Sequence, residues 1–108
     1  MNIELAKQIA ATYEKHSWDL RQVLITSDSE SDNQEIAEAF PNSARVSAQI
    51  DALWFARPSP AGREAWELRL VAEQPYALFE AFEADEVEED REAARREMEN
   101  KMREYANR

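Results

Sequence analysis

The chain has 108 residues with 23 acids against 13 bases, a formal net charge of -10, no cysteine, one histidine, one glycine and four prolines. That size predicts one domain over residues 1–108, and the missing cysteine removes disulfides, thiolate metal sites and a cysteine nucleophile. A lone histidine leaves no histidine-only metal cluster, a lone glycine leaves no phosphate-cradling loop, and the acidity argues against nucleic-acid backbones and anionic membranes as partners.

No apolar run approaches the ~20 residues that a bilayer span requires. Residues Met1–Lys7 also lack the basic start and apolar stretch of a secretion signal. With no cysteine to oxidise, the expected compartment is the cytoplasm.

In chain order, Ile3, Ala6, Ile9, Ala10 and Tyr13 recur at helical spacing, which predicts a first helix over residues 3–16 with Asn2 as its N-cap. His16 falls at its C-terminal end, where a positive charge complements the helix dipole. The β-branched and apolar run Leu20–Thr26 predicts a strand. A polar loop follows, and Asp32 with Glu35 fits a capping box that opens a short helix through Ile36, Ala37 and Phe40. Pro41 and Asn42 close it.

From Val46 to Arg57 the residues alternate, with Val46, Ala48, Ile50, Ala52, Trp54 and Ala56 on one face. Glu64 to Ala72 alternates again, bringing Trp66, Leu68 and Leu70 together. The Pro/Gly loop between them makes a β-hairpin, read with Arg57 opposite Arg63, Trp54 opposite Trp66 and Asp51 opposite Arg69. Tyr76–Phe82 predicts a further strand whose two faces are both largely apolar. From Asp85 an acidic stretch leads into a helix through about Tyr105, with acids early and bases late. Glu92 with Arg96, Glu97 with Lys101 and Glu99 with Arg103 are spaced as i,i+4 pairs. The fold class expected is α+β: a two-layer sandwich of a mostly antiparallel sheet of about four strands, in the order α-β-α-β-β-β-α.

Candidate sites are few. Asp28, Glu30 and Asp32 have the alternate spacing of a calcium loop, but Asn33 stands where glycine is required and Ala39 where the bidentate glutamate belongs. His16, Ser17 and Asp19 are chain neighbours at a helix end, a poor start for a catalytic triad. No cofactor and no metal are expected. Trp54 and Trp66 read as core. If the helices cover the Trp54 face, then Leu53, Phe55 and Val71 form an apolar spot on an open face suited to a partner. The narrow stripe of the last helix, with Met98 and Met102, offers a second such surface. The acidic run from Glu83 to Glu92, with Glu86, Glu88 and Glu89 at its centre, could meet a basic partner. The function expected is therefore a small acidic protein-interaction module, self-associating as a homodimer or binding another protein. The alternatives are an acidic inhibitor blocking a basic site and a small-molecule binding domain.

Overall fold

The computed structural model of the chain describes residues 1–107; Arg108, the last residue of the expected domain, lies outside them. The elements run α1 (Ile3–Lys15), β1 (Asp19–Ile25), α2 (Glu30–Ala39), β2 (Ala44–Ser47), β3 (Ala52–Pro58), a short 3-10 turn (Pro60–Gly62), β4 (Glu64–Leu70), β5 (Ala77–Phe82) and α3 (Glu88–Ala106). The strands form one sheet in the order β2-β1-β3-β4-β5. Among the described residues β1 and β2 pair in parallel and the other pairs are antiparallel. The α+β class and the helix-first order hold, with five strands in place of about four.

The extra strand comes from dividing the long alternating run. Val46 lies beside Leu24 in a parallel ladder, and Ala52 lies beside the same Leu24 in an antiparallel one. One continuous alternation therefore passes over the end of β1 and flanks it on both sides. The crossing is anchored by backbone and side chain alike. The Ala48 N–H donates to the Ile25 carbonyl at 2.9 Å, and the Asp51 carboxylate accepts from the Thr26 N–H at 2.9 Å and its hydroxyl at 3.1 Å. Period-two patterning survives such a crossing, so alternation alone could not reveal it.

Helices cover both faces, not one. Against α1 and α2 lie Val23, Ile25, Leu53, Phe55 and Val71, with Ala6, Ile9, Ala10, Ile36 and Phe40 from the helices. Against α3 lie Leu24, Ala52, Trp54, Leu68 and Leu70, with Met98 and Met102. Strand β3 is buried at five successive positions, Ala52 to Ala56. A strand apolar on both sides must be covered on both sides, which a two-layer arrangement cannot do. Each fully buried Leu, Phe or Val contributes about 1.5–3 kcal/mol.

The hairpin register is displaced by two residues from the expected one. Trp54 faces Leu68, Leu53 faces Arg69, Arg57 faces Ala65 and Pro58 faces Glu64. A two-residue shift keeps every side chain on its face. Trp54 and Trp66 accordingly still meet, diagonally, at 5.8 Å between ring centroids and 74° between planes. The shift parts Arg57 from Arg63 and replaces the expected Asp51–Arg69 pair with Leu53–Arg69. Its cause is the loop, which runs from Ser59 to Arg63 and closes with the Ser59 N–H donating to the Arg63 carbonyl at 2.9 Å. Inside it the chain's one glycine, Gly62, takes a φ of 74°, and a Cβ there would lie 3.2 Å from Ala84 Cβ.

The helix ends follow cap chemistry. The Asn2 side chain accepts from the Leu5 N–H at 3.1 Å, as expected. At the other end of α1 the Trp18 N–H donates to Tyr13 and the Ser17 N–H to Glu14. Those two bonds make a Schellman motif, with Ser17 at a φ of 68° in the place usually taken by glycine. Helix α2 starts earlier than the capping box implied: Ser29, not Asp32, is the N-cap, and its hydroxyl accepts from the Asp32 N–H.

Candidate functional site

The three residues expected on an open sheet face are inside the protein. Leu53 and Phe55 have no exposed surface and Val71 very little. Tyr13 of α1 lies flat on Phe55, 4.0 Å between centroids, and its hydroxyl donates to the Glu67 carboxylate. Burial pushes the Tyr13 phenol well above its ordinary range, and the hydrogen bond to Glu67 pushes the same way. Met98 and Met102 are also buried, so the stripe of α3 faces its own sheet. The premise of an open face at Leu53, Phe55 and Val71 fails because α1 occupies it.

Helix α1 and its cap cover only part of that side. Next to it, on β5, Phe79 is 57% exposed. Its ring meets the edge of Trp18 at 6.4 Å, and the Arg57 guanidinium stacks over Trp18 at 4.3 Å. The same Arg57 donates to the His16 carbonyl, closing the end of α1. Phe79 sits opposite Glu67, which itself sits opposite Phe55, so the three share one face. On either side of Phe79 along the strand, Ala77 and Ala81 are exposed.

The hydrogen-bond phase shows what this edge offers. In an antiparallel pair, alternate residues exchange N–H···O bonds with the neighbour while those between point away. The Leu70 N–H donates to the Tyr76 carbonyl, and the ladder continues in that phase through Leu68–Leu78, Trp66–Glu80 and Glu64–Phe82. Tyr76, Leu78, Glu80 and Phe82 therefore face β4. The N–H and C=O groups of Ala77, Phe79 and Ala81 point off the edge of the sheet, and no partner for them occurs among the described residues. The opposite edge, β2, is only 4 residues long and carries Arg45, a common way to blunt an edge. Strand β5 has 6 residues and one charge, Glu80. Sequence reasoning missed Phe79 because both faces of Tyr76–Phe82 are apolar. The available signal was the unbroken apolar run with a single charge at the end of a meander.

The acidic run is drawn inward. Arg91, its one internal base, donates to the Glu83 carbonyl at 2.8 Å and the Glu86 carbonyl at 3.1 Å, and pairs with Glu64 at 3.5 Å. The Glu86 carboxylate accepts from the Glu83 N–H, and Glu83 pairs with Arg63. Glu88 pairs with Arg95, whose guanidinium stacks on Trp66 at 4.6 Å. Glu89 remains exposed. The expected i,i+4 pairs of α3 do not form among the described residues: Glu99 accepts instead from the Trp54 indole at 2.9 Å, and Arg103 reaches Gln49. Of the α3 charges, Arg91 and Glu99 reach side chains of the sheet, at Glu64 and Trp54.

Other candidates dissolve on placement. Asp32 accepts from the Ser27 hydroxyl, and Glu30 begins α2. No group of three or more potential metal ligands occurs among the described residues. His16 is the C-cap of α1, as its position implied. An open cleft of about 510 Å³ lies at the rim of the sheet, lined by Thr26, Gln49, Ile50, Leu70, Gln74 and Tyr105. Asp51 in that cleft is engaged by Thr26, and its Oδ2 lies 3.4 Å from the Met1 nitrogen. No helix is long and apolar enough to cross a membrane among the described residues. The chain matches no protein-family model, no curated protein and no solved structure. Fold and site together define a class by their chemistry alone: an α+β protein whose open β5 edge presents backbone groups and one aromatic side chain.

Proposed function

We propose that this chain is a small acidic protein-interaction module, working in the cytoplasm, that docks a protein strand along the free edge of β5. The observation that carries the reading is the outward N–H and C=O groups of Ala77, Phe79 and Ala81, with Phe79 exposed in their midst. Edge docking draws affinity from main-chain hydrogen bonds and selectivity from alternate side chains, and Phe79 beside Trp18 and Arg57 supplies the second. The acidic segment favours this reading over an inhibitor of basic sites, because Glu83, Glu86 and Glu88 are engaged within the chain.

The test is binding of short extended peptides with apolar residues at alternate positions, read by fluorescence polarisation. Each peptide is paired with a version N-methylated on the docking edge, which removes its backbone donors and keeps its side chains. Binding that N-methylation abolishes supports strand docking. An absence of any methylation-sensitive binding overturns it.

A further inference from the structure

We infer that the strand docked on β5 is β5 of a second copy, running antiparallel about a two-fold axis through Phe79. This rests on the strand-docking reading and names its occupant. The outward-facing residues read Ala77, Phe79, Ala81, a sequence that is the same in both directions about Phe79. An isologous interface needs that self-complementarity. With Phe79 opposite Phe79, Ala77 of each copy lies opposite Ala81 of the other, and all these residues are in the phase whose amides point outward. Each copy then donates from the N–H of Ala77, Phe79 and Ala81 and accepts at their carbonyls. The small alanines leave room for the two aromatic rings to cross, and the two sheets become continuous. On the reverse face Leu78 lies opposite Glu80, so no two like charges are placed directly across the seam.

Charge selects a second copy over a basic partner. The chain carries -10 overall, yet the face that holds Phe79 sets two bases, Arg57 and Arg69, against one acid, Glu67. An acidic twin approaches most readily where the acid excess is locally absent. The remaining repulsion is screened over about 8 Å at physiological ionic strength. A contact built from one short strand per copy is smaller than the roughly 1,600 Å² of a standard interface. The dimer is accordingly concentration-dependent, with dissociation in the micromolar range.

Sedimentation equilibrium from low micromolar to millimolar protein should show mass rising from monomer to dimer. Phe79→Lys sets two ammonium groups face to face and should raise the dissociation constant by about tenfold or more. Ala81→Pro removes an outward N–H that β4 does not use, and should weaken the dimer while leaving the fold intact by circular dichroism. Val87→Lys changes a side chain as exposed as Phe79 but off the edge, and should change nothing. The register has its own check, since the chain holds no cysteine. In Phe79→Cys the two Cα atoms would stand about 5.5 Å apart, within disulfide reach, so oxidation should link copies faster than in Glu80→Cys or Val87→Cys. Equal linking rates in the three variants would overturn the two-fold axis at Phe79. A chain that stays monomeric at every concentration, yet binds strand peptides at β5, overturns the second copy and leaves strand docking standing. A dimer indifferent to both Phe79→Lys and Ala81→Pro removes the seam from β5 altogether.

Discussion

Ser17 ends α1 at a φ of 68°, exposed and with its backbone N–H bonded to Glu14. Ser17→Gly isolates the cost of that conformation, since the two hydrogen bonds of the Schellman turn come from the backbone and survive the change. A residue with a Cβ loses about 1–2 kcal/mol in the left-handed region. Glycine gives back about 0.5–1 kcal/mol through its larger unfolded-state freedom. The difference leaves a net gain of about 0.5–1 kcal/mol, or a few degrees in Tm for a domain of this size. Urea unfolding followed by tryptophan fluorescence should show a higher midpoint with an unchanged slope. Lys15→Gly, two residues earlier and inside the helix, should instead lose up to about 1 kcal/mol. If Ser17→Gly destabilises as Lys15→Gly does, the left-handed cap at Ser17 carries no strain.

Three further outcomes follow from the core and the loops. Met102→Ala empties a site with no exposed surface between α3 and the sheet and should cost about 2–5 kcal/mol, read as a lower urea midpoint. Gly62→Ala puts a Cβ at a positive φ and against Ala84, and should cost about 1–2 kcal/mol in the same assay. Tyr13 has its phenol pKa raised in the fold by burial and by Glu67. The folded state therefore holds that proton more tightly than the unfolded chain. The associated stability is complete below the ordinary phenol value of about 10 and is lost as pH rises beyond it. Alkaline unfolding should be less steep in Tyr13→Phe, and ultraviolet titration should show Tyr13 ionising after an ordinary phenol.

The presence and order of the three helices, the Asn2 cap and the pairing of the two tryptophan-bearing strands were legible because each depends on neighbours in sequence, although α2 opens at Ser29 and not at Asp32. Periodicity placed Trp54 and Trp66 on one face, and a two-residue error in register could not move them off it. What stayed hidden depended on the rest of the fold. Val46 to Arg57 alternates without a break, yet the hydrogen bonds of Ala48 and Asp51 send its halves to opposite sides of β1. Leu53, Phe55 and Val71 were legible as an apolar face, but not the helix that covers it. Phe79 had the opposite fate: both faces of its strand are apolar in sequence, and it lies in solvent because α1 and its cap cover only part of that side, whereas Phe82 on the other face of the same strand is buried. Spacing pairs Glu99 with Arg103 along α3, but Glu99 accepts from the Trp54 indole on β3 and Arg103 donates to the Gln49 amide in the crossing between β2 and β3.

The division of that alternating run also sets the order in which the sheet can assemble. Strands β3, β4 and β5 follow one another through short connections, and their ladders close small loops. Strand β1 must wait longer, because Asp19 meets Ala56 only after α2 and β2 have been accommodated between them in the chain. Loop closure over the longer separation costs more entropy, which places the meander early on the folding path and the arrival of β1 late. Until β1 arrives, the inner edge of β3 is as bare as the outer edge of β5. A meander formed without β1 would carry two open seams where the finished one has one, and pairing of β1 with β3 is what closes the inner of the two.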